Sequence, residues 1–298
     1  MNDPSGHSDT AQGRRFAAAH DAPPAVTRML ARPGAPALEW IEARPGGKAQ
    51  GAPLLFVHGA FGGAWIWGEI FLPHLARRGR RAAAISLRGH GRSQGAARLR
   101  ETGLGDYLDD VRHAIAQWPE PPVVVGHSLG ALLAQRLIGQ VPMRGLALLA
   151  PLPPEGLSLI GTQIALTDVG FWLESLAGSL LPGREPAQAL SMHWLFSEGL
   201  PVAEARRYAA RMSAESPLAL AEAHWPLPTL PAALLGLPAL VVGGGLDRMI
   251  WPVTTWRTAL YHGAEHHTVA DIAHFLQLDH GAEGVARLLL DWLDRRGL

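Results

Sequence analysis

The residues of this chain best suited to covalent chemistry are a serine, an aspartate and a histidine, met in the order Ser128, Asp247, His274. A serine hydroxyl becomes a nucleophile when a histidine takes its proton and a carboxylate orients that histidine. The pattern Gly-x-Ser-x-Gly occurs twice, at Gly126-His127-Ser128-Leu129-Gly130 and at Gly91-Arg92-Ser93-Gln94-Gly95. In a chain with 34 glycines, chance alone supplies roughly 0.2 such matches, so the surroundings must decide. A nucleophilic serine needs a strand before it and a helix directly after, because that sharp turn lifts the hydroxyl above the sheet edge. Ser128 has both, with Pro122-Val123-Val124-Val125 before it and the apolar run from Ala131 to Ile138 after. Ser93 follows the polar loop Arg88-Gly89-His90-Gly91-Arg92 and reads as a turn residue. The competing reading of Ser128 is a helix N-cap.

Three other segments supply what such a serine would need. Phe56-Val57-His58-Gly59-Ala60-Phe61-Gly62-Gly63 places a glycine-rich loop straight after a buried strand. Its Ala60 N–H, with the Leu129 N–H, would form an oxyanion hole, where each donor is worth about 10² to 10³ in rate. A phosphate loop is the rival, but neither a Gly-Lys-Ser/Thr ending nor Gly-x-Gly-x-x-Gly is present. Leu240-Val241-Val242-Gly243-Gly244-Gly245-Leu246-Asp247 ends a strand in a loop with one carboxylate, where an orienting acid belongs, although Asp247 could instead cap the helix that starts near Pro252. Asp271-Ile272-Ala273-His274-Phe275 follows the last strand, and His274 would act there as general base. His274 is singled out from 14 histidines by that position. His262, His266 and His267 lie close in sequence, but no Glu-x-x-His or cysteine accompanies them, so no metal site is assigned.

These segments need a scaffold that brings them to one edge. Apolar runs at Leu54–Val57, Ala82–Leu87, Val123–Val125, Leu146–Leu149, Ala239–Val242 and, more weakly, His266–Ala270 lack polar alternation, which suits strands buried on both faces. Stretches with room for a crossover helix separate them, at Trp65–Arg78, Asp106–Trp118, Leu129–Gly139, Val253–Tyr261 and Ala282–Arg295. Val26–Leu30 and Leu38–Ala43 look like an antiparallel edge pair. Between Leu152 and about Leu235 the alternation stops. Phe171, Trp172, Trp194, Phe196 and Trp225 sit there among Leu and Ala, with Arg206, Arg207 and Arg211 at helical spacings. The expected organisation is a flexible leader over 1–25, an α/β core over 26–151 and 236–298, and a helical cap over 152–235.

Taken together, His58-Gly59-Ala60, Arg88-Gly89-His90-Gly91-Arg92-Ser93, Gly126-His127-Ser128-Leu129-Gly130, Gly244-Gly245-Leu246-Asp247 and Ala273-His274-Phe275 resemble the α/β-hydrolase fold superfamily in its serine-nucleophile branch, over residues 54–298. The resemblance implies a mostly parallel central sheet flanked by helices, with the helices after strand six forming a lid. It also implies that the Arg-Gly-His-Gly stretch is a structural turn. Relatives often carry Asp before that turn, where this chain has Ser86-Leu87, so no catalytic role is expected of that loop. Serine at the elbow separates the chain from the haloalkane dehalogenase and epoxide hydrolase branches, which use Asp there.

Composition narrows the partners. Of 298 residues, 48% are apolar and 17% charged, enough for a sizeable core. Basic and acidic side chains number 26 each, which removes a global positive field for nucleic acid or anionic membrane. The chain has no cysteine, hence no disulfide, thiolate nucleophile or sulfur-ligated zinc. No apolar run approaches the roughly 18 residues of a membrane span. Arg14-Arg15 is not followed by a hydrophobic export segment of about 7 to 15 residues, and a cytoplasmic location is expected. The expected function is a cofactor-independent serine hydrolase cleaving a carboxylic ester through an acyl-enzyme, with a small-molecule acyl substrate as partner. A thioesterase, a carbon-carbon bond hydrolase, an acyltransferase, a perhydrolase and a small-ligand receptor with vestigial chemistry stay open, because substrate choice lies in the cap.

Overall fold

A computed structural model describes residues 24–167, 170, 192–226 and 229–298. Its strands are β1 (Val26–Leu30), β2 (Leu38–Ala43), β3 (Leu54–Val57), β4 (Ala82–Ile85), β5 (Val123–His127), β6 (Gly145–Leu149), β7 (Ala239–Gly244) and β8 (Glu265–Val269). They form one eight-stranded sheet in the order β1-β2-β4-β3-β5-β6-β7-β8. β1 pairs antiparallel with β2, and β2 with β4. All other neighbours are parallel. The expected edge pair and buried runs are therefore present. Every residue of β3 to β7 is buried, whereas β8, the outermost parallel strand, is half-exposed, which accounts for its weak apolar signal.

The helices that cover the sheet are α1 (Trp65–Gly68), α2 (Phe71–Arg77), α3 (Leu104–Ile115), α4 (Leu129–Arg136), and, beyond the insertion, α9 (Pro252–His262) and α10 (Ala282–Arg296). Alternate residues of each central strand feed opposite layers. Leu54, Phe56, Val123 and Val125 join Trp67, Phe71 and Trp292 of α1, α2 and α10. Leu55, Val57 and Val124 join Tyr107, Leu132 and Ala259 of α3, α4 and α9. The single helix expected over Trp65–Arg78 is two, broken at Ile70, whose φ/ψ of −128°/−52° is not helical. Pro73 explains the break: it is tolerated in the first turn of α2 but would clash inside one continuous helix.

Between β6 and β7 the elements among the described residues are helices: α5 (Ser158–Thr167), α6 (Met192–Leu195), α7 (Val202–Ala209), α8 (Pro217–Glu222) and a 3₁₀ turn (Ala232–Leu235). Trp194 and Phe196 are buried, as expected for helix-packing residues, but Trp225 lies just past the end of α8 and is 70% exposed. Arg207 and Arg211 reach out of the insertion to Glu69 at the end of α1. The expected leader up to residue 23, Phe171 and Trp172 lie outside the described residues. Among the described residues no helix is long and apolar enough to cross a membrane.

Candidate active site

β5 runs directly into α4, and Ser128 is the hinge between them. Its φ of 52° and ψ of −115° leave the ordinary regions for an L-residue, a strain of about 1 to 3 kcal/mol that surrounding contacts must hold. They do so from β6, where Leu149 accepts the Ser128 N–H at 3.0 Å. The two motif glycines are required by crowding. A Cβ on Gly126 would stand 2.6 Å from Ala131 Cα, and one on Gly130 would stand 2.3 Å from the His58 carbonyl oxygen. The N-cap reading of Ser128 fails, since its hydroxyl makes no cap bond to α4. It lies instead 3.1 Å from His274 Nε2.

His274 Nδ1 is 2.8 Å from Asp247 Oδ2. A carboxylate can only accept there, so Nδ1 carries the proton and the Nε2 lone pair faces the serine hydroxyl. Asp247 is itself fixed, its Oδ1 accepting the Met249 and Ile250 N–H groups at 2.8 Å each. It does not cap the following helix, whose N-cap position is Trp251. Gly244 and Gly245 let the end of β7 lie against the histidine loop: a Cβ on either would come within 2.4 Å of the Ile272 or Ala270 carbonyl oxygen. All three residues are buried, at 7%, 3% and 2% exposure for Ser128, Asp247 and His274.

Ala60 lies in the loop after β3, and Leu129 opens α4. Neither backbone N–H has an acceptor among the described residues, which leaves both free for a ligand oxygen. His58 braces this loop, its Nε2 accepting the Leu87 N–H at 2.9 Å while Nδ1 donates to the Gly59 carbonyl at 2.7 Å. Burial, with His90 nearby, pushes the His58 pKa down to about 3, so the ring stays neutral. Ser86, which stands where relatives often have Asp, accepts the Ala64 N–H and donates to Glu39, a structural role in the same loop.

Other sequence candidates fall into place elsewhere. Ser93 donates to the Ser86 carbonyl at 2.6 Å and accepts the Glu39 N–H, as a turn residue should. His262, His266 and His267 do not converge: they bond separately to Gln135, Thr255 and Glu265.

Several supporting residues were not singled out by the sequence. His127 Nε2 donates to the His274 carbonyl at 3.0 Å, and burial, then the neighbouring His274, lowers its pKa well below the ordinary value. Asp279 accepts the Ala273 N–H at 3.0 Å and the Ser197 N–H at 2.9 Å, tying the histidine loop to the insertion. Glu215, also in the insertion, accepts the Phe61 N–H at 3.3 Å. Only His127 stood beside a recognised motif residue; the other two are distant in sequence from what they hold.

Residues 54–288 match the model of the alpha/beta hydrolase family. The chain belongs to that family. No curated protein matches this alpha/beta hydrolase, but many solved structures do. A thermophilic esterase from Thermogutta terrifontis is 17% identical with a TM-score of 0.66, covering 93% of this chain and 100% of its own. A bromoperoxidase from Bacillus anthracis is 16% identical with a TM-score of 0.68, covering 90% and 100%. A soluble variant of monoglyceride lipase from Saccharomyces cerevisiae is 14% identical with a TM-score of 0.69, covering 93% and 97%. At such identities the likeness is one of fold.

Proposed function

We propose that this alpha/beta hydrolase is a cofactor-independent serine hydrolase that cleaves a carboxylic ester through an acyl-enzyme. The observation that carries the reading is the buried relay in which Ser128 Oγ lies 3.1 Å from His274 Nε2 and His274 Nδ1 lies 2.8 Å from Asp247. Ser128 Oγ attacks the ester carbonyl carbon as its proton passes to His274 Nε2, and the carbonyl oxygen takes negative charge beside the Ala60 and Leu129 N–H groups. When the tetrahedral centre collapses, the carbon–oxygen bond to the alcohol breaks and His274 returns the proton to the leaving oxygen. Water then repeats the sequence on the acyl-enzyme, freeing the acid and restoring the Ser128 hydroxyl. Asp247 keeps its charge throughout and stabilises the imidazolium. The insertion over 152–235 is the cap that selects the acyl group, the partner is a small-molecule acyl substrate, and the cytoplasm is the compartment we assign.

The test is labelling with a fluorophosphonate, mapped to a residue, followed by a panel of esters and thioesters of graded chain length. Labelling at Ser128 and its loss in Ser128→Ala, together with loss of ester turnover, is the expected result. Labelling at Ser93, or wild-type turnover by Ser128→Ala, would refute the assignment. Preference for thioesters in the panel would move the reading to a thioesterase on the same residues.

A further inference from the structure

The loop that carries Ala60 is held from outside by the insertion. Phe61 has a φ of 63°, one of three non-glycine residues among those described with positive φ, another being Ser128. A bulky residue does not rest there unaided. Both of its backbone polar groups are taken by the insertion: Ser213 donates its N–H to the Phe61 carbonyl at 3.0 Å, and Glu215 Oε2 accepts the Phe61 N–H at 3.3 Å. The two neighbouring loop donors are thus divided. The carboxylate claims the N–H of Phe61, and the N–H of Ala60 stays unclaimed.

Glu215 is built for this position. Its side chain is 1% exposed, with His90 Nε2 at 3.2 Å, inside ion-pair range though off the line of a hydrogen bond. Oε1 accepts the Tyr107 hydroxyl and the Ser216 N–H, each at 2.6 Å. Burial alone would favour the neutral acid, but the His90 charge and these donors outweigh it and hold the carboxyl below its ordinary range. Such a buried anion with four partners is a rigid point. Its segment is also fastened without it: Ser216 Oγ donates to the Thr102 carbonyl and Glu222 accepts the Leu104 N–H at 2.6 Å.

We propose that Glu215 is a positioning residue: by holding the Ala60–Phe61 peptide it aims the Ala60 N–H at the developing oxyanion, so that the insertion completes the oxyanion hole of the core. This rests on the serine-hydrolase reading above. A donor moved out of line loses stabilisation of the transition state while ground-state binding of the ester is little changed.

The experiment compares wild type, Glu215→Gln and Glu215→Ala in the rate of fluorophosphonate labelling, in kcat and KM for p-nitrophenyl acetate, and in inhibition by a trifluoromethyl ketone. The final labelled fraction counts folded sites. Per labelled site, Glu215→Ala should lose about 10- to 100-fold in labelling rate and kcat, with KM within about twofold and weaker ketone binding. Glu215→Gln, which keeps an acceptor oxygen, should lose less, and it decides the matter if the alanine variant does not fold. Wild-type rates per labelled site in Glu215→Gln and in any folded Glu215→Ala would overturn this inference alone. A wild-type protein that does not label at Ser128 would overturn the hydrolase reading and this inference with it.

Discussion

Asp247 accepts three hydrogen bonds, two from backbone N–H groups and one from His274 Nδ1. The backbone pair fixes the carboxylate so that its remaining oxygen selects one tautomer of the imidazole. An amide at that position would keep the shape but could offer its N–H₂ to Nδ1, turning the proton onto Nε2, where it faces the serine hydroxyl instead of receiving from it. Asp247→Asn should therefore lower kcat for an activated ester by about 10⁴-fold while the melting temperature changes little. Steady-state turnover of p-nitrophenyl acetate measures this, and a loss under about tenfold would show that His274 is oriented by something else. His127 holds the same residue through the His274 backbone carbonyl.

At the scale of elements, α4 does two jobs that conflict. Its first turn must come close to the loop after β3, which is why Gly130 faces the His58 and Val57 carbonyl oxygens with no room for a methyl group. Its last turn is buried as well, and there it carries Arg136, 5% exposed, whose three guanidinium nitrogens have no hydrogen-bond partner among the described residues. Burial pushes the Arg136 pKa down to about 10. A buried cation without a partner costs more than an apolar chain of similar length. Arg136→Met should raise stability by about 1 kcal/mol or more, read as a higher urea midpoint at unchanged slope. A lower midpoint would mean that the guanidinium is compensated after all.

For the molecule as a whole, several histidines are buried in neutral form. Burial holds His58 at about 3 and His262 at about 4, and pushes His127 well below its ordinary value. Unfolded histidine titrates near 6.5, so as pH falls from about 7 to about 5 the unfolded chain binds protons that the folded one refuses. His58 and His262 should then each remove about 2 kcal/mol of stability by about pH 5, and His127 acts in the same direction. The His90–Glu215 pair acts oppositely. Burial lowers the His90 pKa, but the Glu215 charge raises it further, and Glu215 itself is held low. The pair's contribution is full below the unfolded histidine value and above the unfolded carboxylate value, and it offsets only part of the loss. Urea unfolding at the two pH values should give a clearly lower midpoint in acid; equal midpoints would contradict neutral burial of these rings.

The sheet and the three residues that meet at its edge are legible in the order of amino acids alone. Unbroken apolar runs such as Leu54–Val57 and Val123–Val125, bounded by turn residues, suit strands covered on both faces, and the glycines flanking Ser128 have a steric reason. Local pattern carries that information because strand burial and a tight turn are local requirements. Where pattern was ambiguous, tertiary contacts decided: the hydroxyl of Ser128 chose His274 over an N-cap, and Pro73 split an expected helix. Glu215, Asp279 and Tyr107 were not legible at all. Glu215 lies 154 residues from the Phe61 N–H it accepts, and no spacing rule links an insertion to the loop it folds against. Only the closed structure, which buries that carboxylate and so obliges it to find donors, settled what it holds.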